Sequence, residues 1–220
     1  MSVVATADAK RQAARVVRQL RRDYPDAECA LRFQSPLDLL VATILSAQAR
    51  DTVVNATTPL LFKKYKTAED YARADLETLI REISPVSFPA NKAKYIRRAC
   101  KILAEKYRGK VPGTMQELVE LPGIGRKTAN AILINAFEKI EGIVVDTHVI
   151  RLSYRLGWTK NKNPEKIEQD LMKIIPKNDW ARITWLLKEH GRTICKAPVP
   201  ICSRCALEPL CPKAGVTKRV

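Results

Sequence analysis

Leu121-Pro122-Gly123-Ile124-Gly125-Arg126-Lys127-Thr128-Ala129-Asn130 is the stretch from which the fold can be read. Before it, Thr114 and Glu117 form an S/T-x-x-E capping box, which predicts a short helix from about Met115. Pro122 disfavours helical geometry at Leu121 and stops that helix there. Gly123 and Gly125 permit a tight reversal with unusual backbone angles. Beyond the reversal, Ala129, Ile132, Leu133 and Ala136 recur at i, i+3, i+4, i+7, the spacing of an amphipathic helix. The stretch therefore reads helix, Gly-rich hairpin, helix. Such a hairpin turns backbone N–H groups outward at a helix N-terminus, where phosphate is the natural guest. An ordinary αα-turn is the plainer alternative, and a lone G-x-G would favour it. Arg126 and Lys127 tip the balance to a nucleic-acid phosphate site.

The rest of the chain agrees in charge. Its 220 residues are 46% hydrophobic, enough for one large or two modest cores. Lys plus Arg number 39 against 23 Asp plus Glu, a net charge of +16. That excess suits a nucleic acid or an anionic membrane. It lies along helices rather than in a tail, which fits a shaped duplex-binding face. No run approaches the ~18 apolar residues of a membrane span. The N-terminal residues, with Lys10, Arg11, Arg15 and Arg18, lack the apolar core of a signal peptide. A reducing, intracellular setting is expected, specifically the cytoplasm at the nucleoid. Six cysteines are then not a disulfide set.

Helical periodicity recurs along the chain. Residues 7–22 bury Ala13, Val16, Val17 and Leu20 and leave arginines outside. Ser35-Pro36-Leu37-Asp38 starts a helix with N-cap, Pro at N1 and acid at N3, and Leu37, Leu40, Val41, Ile44 and Leu45 line one face. It ends in Ser46-Ala47-Gln48. Asp51 is expected to cap the next helix, and Pro59 to bend it. A short helix follows at Leu76–Ile83, then the loop Val86-Ser87-Phe88-Pro89. A long helix carries Ile96, Cys100, Leu103 and Tyr107. After the hairpin, Ile143-Val144-Val145 is a short extended link and Asp146-Thr147-His148 opens another helix. Asn163-Pro164 and Asp179 start the last two. About ten helices and no credible strand make the class all-α.

Two constellations carry chemistry. The tail reads Cys195-x6-Cys202-x2-Cys205-x5-Cys211, four thiols in a segment too short for its own core. Zinc with four cysteines usually shows two close pairs, and only one is present. Iron–sulfur clusters use four cysteines at uneven spacings. Cys29 and Cys100 stand apart and read as buried small hydrophobes. The second constellation is Lys127 with Asp146. Lys127 falls on the first turn of a helix beside Arg126, where the dipole and the neighbouring cation disfavour the ammonium form. A free amine attacks electrophilic carbon and forms a Schiff base. Taken singly, Lys127 is a phosphate contact and Asp146 an N-cap. The tether Ile143–Val145 would bring the carboxylate close to the end of the lysine helix.

Together, the hairpin Leu121–Lys127, the segment Val145-Asp146-Thr147-His148, the turn Leu45-Ser46-Ala47-Gln48 and the cysteine tail resemble the endonuclease III family of DNA glycosylases, from about residue 16 to Cys211. The resemblance implies a bifunctional glycosylase/abasic-site lyase acting on oxidised pyrimidines in damaged double-stranded DNA. It implies a six-helix barrel with the hairpin over residues 28–140. A second helical domain, from residues 1–27 and 141–220, would hold a [4Fe–4S] cluster on Cys195, Cys202, Cys205 and Cys211. Lys127 would be the nucleophile at C1′ and Asp146 the carboxylate that assists it. Gln48 would fill the space left by the extruded nucleotide, and Phe88 would wedge the opposite strand. Gly123, Gly125 and Arg126 would hold phosphate, with His148 a weaker DNA contact. A monomer with no membrane partner is expected.

The chain departs from the family pattern in two places. Relatives often carry Gly-x-Tyr or Gly-Phe-Tyr where this chain has Ser87-Phe88-Pro89, a stiffer loop. The loop between Cys195 and Cys202 holds one basic residue where relatives often place more. Two alternatives remain. A mismatch adenine glycosylase of the same superfamily lacks the lysine of the Lys127 position. A non-catalytic hairpin protein that binds DNA or senses redox state would need neither Lys127 nor Asp146.

Overall fold

A computed structural model describes residues 6–220. Every regular element among them is helical. The α-helices are α1 (Ala7–Asp23), α2 (Pro36–Ser46), α3 (Asp51–Lys64), α4 (Ala68–Arg73), α5 (Leu76–Glu82), α6 (Pro89–Lys106), α7 (Met115–Val119), α8 (Arg126–Phe137), α9 (Thr147–Arg155), α10 (Pro164–Ile174) and α11 (Trp180–Thr193). The all-α class follows. One helix more than expected forms because Thr67 and Asp70 close a capping box that starts α4. Among the described residues, no helix is long and apolar enough to cross a membrane.

The chain divides into two compact units. One is Cys29–Glu141; the other joins the chain up to Glu28 to Gly142–Val220.

In the first unit, α2 is more deeply placed than its apolar stripe predicts. All seven residues from Leu39 to Leu45 are buried, so it is a core helix rather than an amphipathic one. It packs on α3, α6 and α8. α6 buries Ala93, Ile96, Ala99, Cys100 and Leu103 against the same core. Burial pushes the Cys100 thiol up to about 12, as suits a small hydrophobe. Cys29, expected to be buried like it, is only half-buried. Asp51 is not the cap of α3. Arg50 holds that position without a side-chain bond, and Asp51 is the first helical residue, an acid in the first turn. The helix runs on through Pro59 to Lys64.

In the other unit, α1 packs on α11 and α9 on both α10 and α11. Gln12 of α1 donates from Nε2 to the carbonyls of Leu156 and Leu210, at 3.0 and 2.8 Å, and accepts from Trp158 Nε1 at 2.8 Å. One side chain thus ties α1 to the end of α9 and to the tail. The link Ile143–Val145 is buried and extended, and Thr184 Oγ1 donates to the Val144 carbonyl at 2.7 Å.

Candidate functional site

The hairpin stands on apolar feet. Leu118, Leu121, Ile124, Ala129, Ile132 and Leu133 are buried, while Gly123, Gly125, Arg126 and Lys127 are exposed. Each fully buried leucine or isoleucine contributes about 1.5–3 kcal/mol, so the loop is anchored from below and its outer edge is left for another purpose. Thr114 caps α7 by accepting from Glu117 N–H, and its hydroxyl donates to the Glu117 carboxylate at 2.6 Å. The acid therefore bonds the hydroxyl rather than the backbone N–H that a full capping box would use.

Gly123 has φ +85°, and a Cβ there would lie 3.1 Å from Tyr95 Cβ. Only glycine fits both demands. Gly125 is the N-cap of α8. It offers no side-chain cap, and the first turn of α8 contains no acid. The first turn of that helix thus carries no acid of its own, which suits an external phosphate.

Two further loops in the same unit carry the residues expected to enter DNA. Gln48 lies just past the end of α2, exposed, with φ +53°. Phe88 is the N-cap of α6 with φ +55° and ψ +50°, and 61% of its surface is exposed. A core role for this aromatic is excluded. Both side chains thus hang from left-handed backbone, which L-residues adopt only when their surroundings enforce it. The loops are tied together: Ser87 Oγ donates to the Gln48 carbonyl at 2.6 Å. α6 then runs from Phe88 to the hairpin, because its Tyr95 packs on Gly123. Lys92 lies between them on the same helix. It donates to the Leu45 carbonyl at 2.7 Å and to Ser87 Oγ at 3.4 Å.

In the other unit, Asp146 caps α9. Its Oδ1 accepts from Val149 N–H at 2.8 Å, and the side chain is half-buried. His148, one residue into the helix, is half-buried too. Burial holds its imidazole below the usual range; Asp146 opposes that lowering, and Arg151, Arg192 and Lys188 add to it. Arg151 Nη2 donates to His148 Nδ1 at 3.2 Å, which assigns the remaining proton to Nε2. His148 is thus a neutral donor, not a cationic phosphate clamp.

α9 also supports the cysteine tail. Arg151 donates to the carbonyls of Gly191 and Cys195 at 3.0 and 3.1 Å. Arg155 donates to Cys195 Sγ at 3.2 Å and to the carbonyls of Lys196 and Pro198 at 2.8 and 3.2 Å. All four tail cysteines are unbridged and line one cavity, walled by Leu152, Leu156, Ile194, Leu207 and Val216. Yet among the described residues no three His, Cys, Asp or Glu side chains converge as a single metal ion requires. Four thiols around an apolar chamber, not drawn to one point, fit a multi-atom cluster better than one zinc ion. Burial pushes Cys205 up to about 11 and raises Cys211, and repulsion among the thiolates adds to both. A positively charged centre would favour the thiolate form of these two cysteines.

Sequence reading missed Lys92, Ser87, Arg151 and Arg155. A signal existed for two of them. Lys92 continues the stripe of Ile96, Ala99 and Leu103, and Arg155 that of Leu152, so each is a cation on an inward face.

Comparison with known proteins gives this geometry its context. A family model described as HhH-GPD superfamily base excision DNA repair protein matches residues 41–177. The endonuclease III of Synechocystis sp. is 47% identical over 208 residues, 94% of this chain and 95% of that protein. The endonuclease III of Bacillus subtilis is 44% identical over 203 residues, 89% and 92% of the two chains. A solved structure of a trapped endonuclease III–DNA covalent intermediate aligns with a TM-score of 0.88 at 41% identity, covering 93% of this chain and 96% of that one. A glycine hairpin with a lysine on its uncapped helix and a four-cysteine tail, in a chain alike over nearly its full length, establish that it belongs to the endonuclease III family of base excision DNA repair enzymes.

Proposed function

We propose that Lys127 is the nucleophile of a DNA glycosylase/abasic-site lyase that removes oxidised pyrimidines from duplex DNA. The observation that carries this reading is the exposed lysine on the first turn of α8, above a Gly125 cap that leaves the helix end to an outside anion. Phosphates on either side of the lesion are then held by backbone N–H groups and Arg126, while Lys127 faces the sugar. Its Nζ, as free amine, attacks C1′ as the bond to the damaged base breaks, and the base leaves with the bonding electrons. Loss of a proton from nitrogen and opening of the sugar ring give an iminium. Removal of a C2′ proton then expels the 3′ phosphate by β-elimination.

In this reading Asp146 assists deprotonation of the lysine and stabilises positive charge on the sugar. Bonding the carboxylate as an N-cap fixes its direction. Gln48 and Phe88 replace and wedge the bases around the extruded nucleotide. Extrusion costs a few kcal/mol and least at a damaged pair, which is one source of selectivity. Cys195, Cys202, Cys205 and Cys211 would hold a [4Fe–4S] cluster. When bound, it supplies iron–thiolate bonds that close the tail into one piece. Arg155 donates to the Cys195 sulfur and so offsets part of the negative charge gathered there. The chain acts as a monomer on nucleoid DNA.

Borohydride trapping tests the assignment. A duplex with one oxidised pyrimidine should crosslink covalently to the protein, and Lys127→Gln should abolish both the adduct and strand cleavage. An undiminished adduct in Lys127→Gln, or none with the unaltered protein, sinks the assignment.

A further inference from the structure

Lys92 is 4% exposed, and burial lowers its pKa with no opposing charge nearby. Its ammonium donates to two neutral oxygens, the Leu45 carbonyl and Ser87 Oγ. A buried ammonium without a carboxylate is expensive, and an apolar side chain of the same length would fill the space at less cost. What the charge accomplishes is visible in its partners. The Leu45 carbonyl lies in the last turn of α2, where the helix has no partner for it and the dipole favours a cation. Ser87 Oγ accepts from Lys92 and donates its own hydrogen bond to the Gln48 carbonyl. An ammonium polarises that hydroxyl and strengthens it as a donor. The Lys92 backbone N–H also bonds the Phe88 carbonyl at 3.2 Å. One residue thus touches the backbone of Phe88 and of the helix end that leads into the Gln48 turn.

We propose that Lys92 is a positioning residue for nucleotide extrusion: by bonding the end of α2 and Ser87, it fixes the separation and the left-handed backbone of the loops that present Gln48 and Phe88. The proposal rests on the reading of those two side chains as the ones that enter the duplex. Lys92 itself touches no DNA, since it is enclosed by the unit that carries it. Its contribution is rigidity. Two loops each costing about 1–2 kcal/mol of backbone strain relax unless something holds them. A relaxed pair of loops inserts late or in the wrong register, and the unpairing step slows while the chemistry at C1′ does not.

The test uses the full-length holoenzyme, unaltered or carrying Lys92→Met or Ser87→Ala. Methionine keeps length and volume without the charge. Alanine breaks the relay at a loop residue that no core depends on. Each protein is assayed in single turnover on a duplex with thymine glycol paired to adenine, and on the same lesion set in an unpaired bubble. A 2-aminopurine beside the lesion reports extrusion at saturating protein. Both variants should be at least tenfold slower on the paired lesion, with a smaller 2-aminopurine signal, yet within about threefold of the unaltered protein in the bubble. A merely structural role would slow both substrates alike, and that outcome overturns the proposal, as does no loss on either. Should Lys92→Met fail to fold, the paired-to-bubble ratio of Ser87→Ala decides by the same criteria. Failure of the enzyme assignment looks different: the unaltered protein would give the 2-aminopurine change without excision, and the extrusion signal alone would then judge Lys92. If the unaltered protein extrudes nothing, this proposal falls with the wedge reading.

Discussion

Phe88 concentrates the conflict between folding and function in one side chain. Its left-handed backbone costs about 1–2 kcal/mol in an L-residue, and a ring with 61% of its surface in water returns little of that. Nothing in the stability of the unit asks for a phenylalanine there. Glycine would adopt the same angles freely, at some entropic cost from the unfolded chain. Phe88→Gly should therefore leave urea stability unchanged or raise it by up to about 1 kcal/mol, while excision of a paired lesion falls at least tenfold. A clear loss of stability would show that the ring is a structural element after all. The sequence hid this, for a physical reason. A residue before proline is expected in extended geometry, and Pro89 follows Phe88. The left-handed state is supported by bonds from Ser87 to Gln48 and from Lys92 to Leu45, partners near in space and far in sequence. Lys92 stands in the sequence as a cation on an inward stripe, but what it bonds there is hidden, because its acceptors lie 47 and 5 residues away.

At the scale of elements, what was legible was what local chemistry decides. Ser35-Pro36, Thr114, Asn163-Pro164 and Asp146 each cap a helix as expected, because a cap is made by a side chain and the N–H groups two or three residues on. α4 was missed because its six residues are too few to show a period, although Thr67-x-x-Asp70 was there to be read. The depth of α2 was missed because burial on every side is set by α3, α6 and α8. The tail is the opposite case, an element with almost no fold of its own. Between Cys195 and Val220 the only regular pieces are the three-residue turns Cys202–Arg204 and Glu208–Leu210, and Leu207 is the only apolar side chain besides proline to be fully buried. Arg151, Arg155, Gln12 and four thiols are left to hold it. If a cluster is the tether, its binding energy is the folding energy of this segment. Cys202→Ala should lose iron, measured by the visible absorbance near 400 nm, and should expose residues 195–220 to trypsin at the lysines and arginines there. A tail that stays resistant after its iron is gone would show that the arginine and glutamine contacts suffice.

For the whole molecule, the +16 charge and the proposed wedging by the Gln48 and Phe88 loops would make separable demands on DNA. Charge acts through the release of counterions from every phosphate the protein neutralises, so its signature is the slope of log affinity against log salt, about −0.9 per phosphate. The wedge acts on a base step and carries no charge. Phe88 is neutral, and Lys92 is enclosed where no phosphate reaches. Affinity for duplex DNA should therefore fall steeply and linearly on these axes, and Phe88→Ala and Lys92→Met should shift the line without changing its slope. Arg126→Ala, exposed at the hairpin, should make the slope shallower by about one contact. Fluorescence anisotropy of a labelled duplex between 50 and 300 mM KCl measures all four lines. A flat line for the unaltered protein would detach the basic excess from DNA binding. A shallower slope for Lys92→Met would place that ammonium against phosphate rather than inside the fold. The separation also explains why the charge could be read from composition while the wedge residues came only from the family resemblance. Net charge is a sum over residues and needs no structure, whereas a wedge exists only once two loops and a buried lysine have been brought to one place.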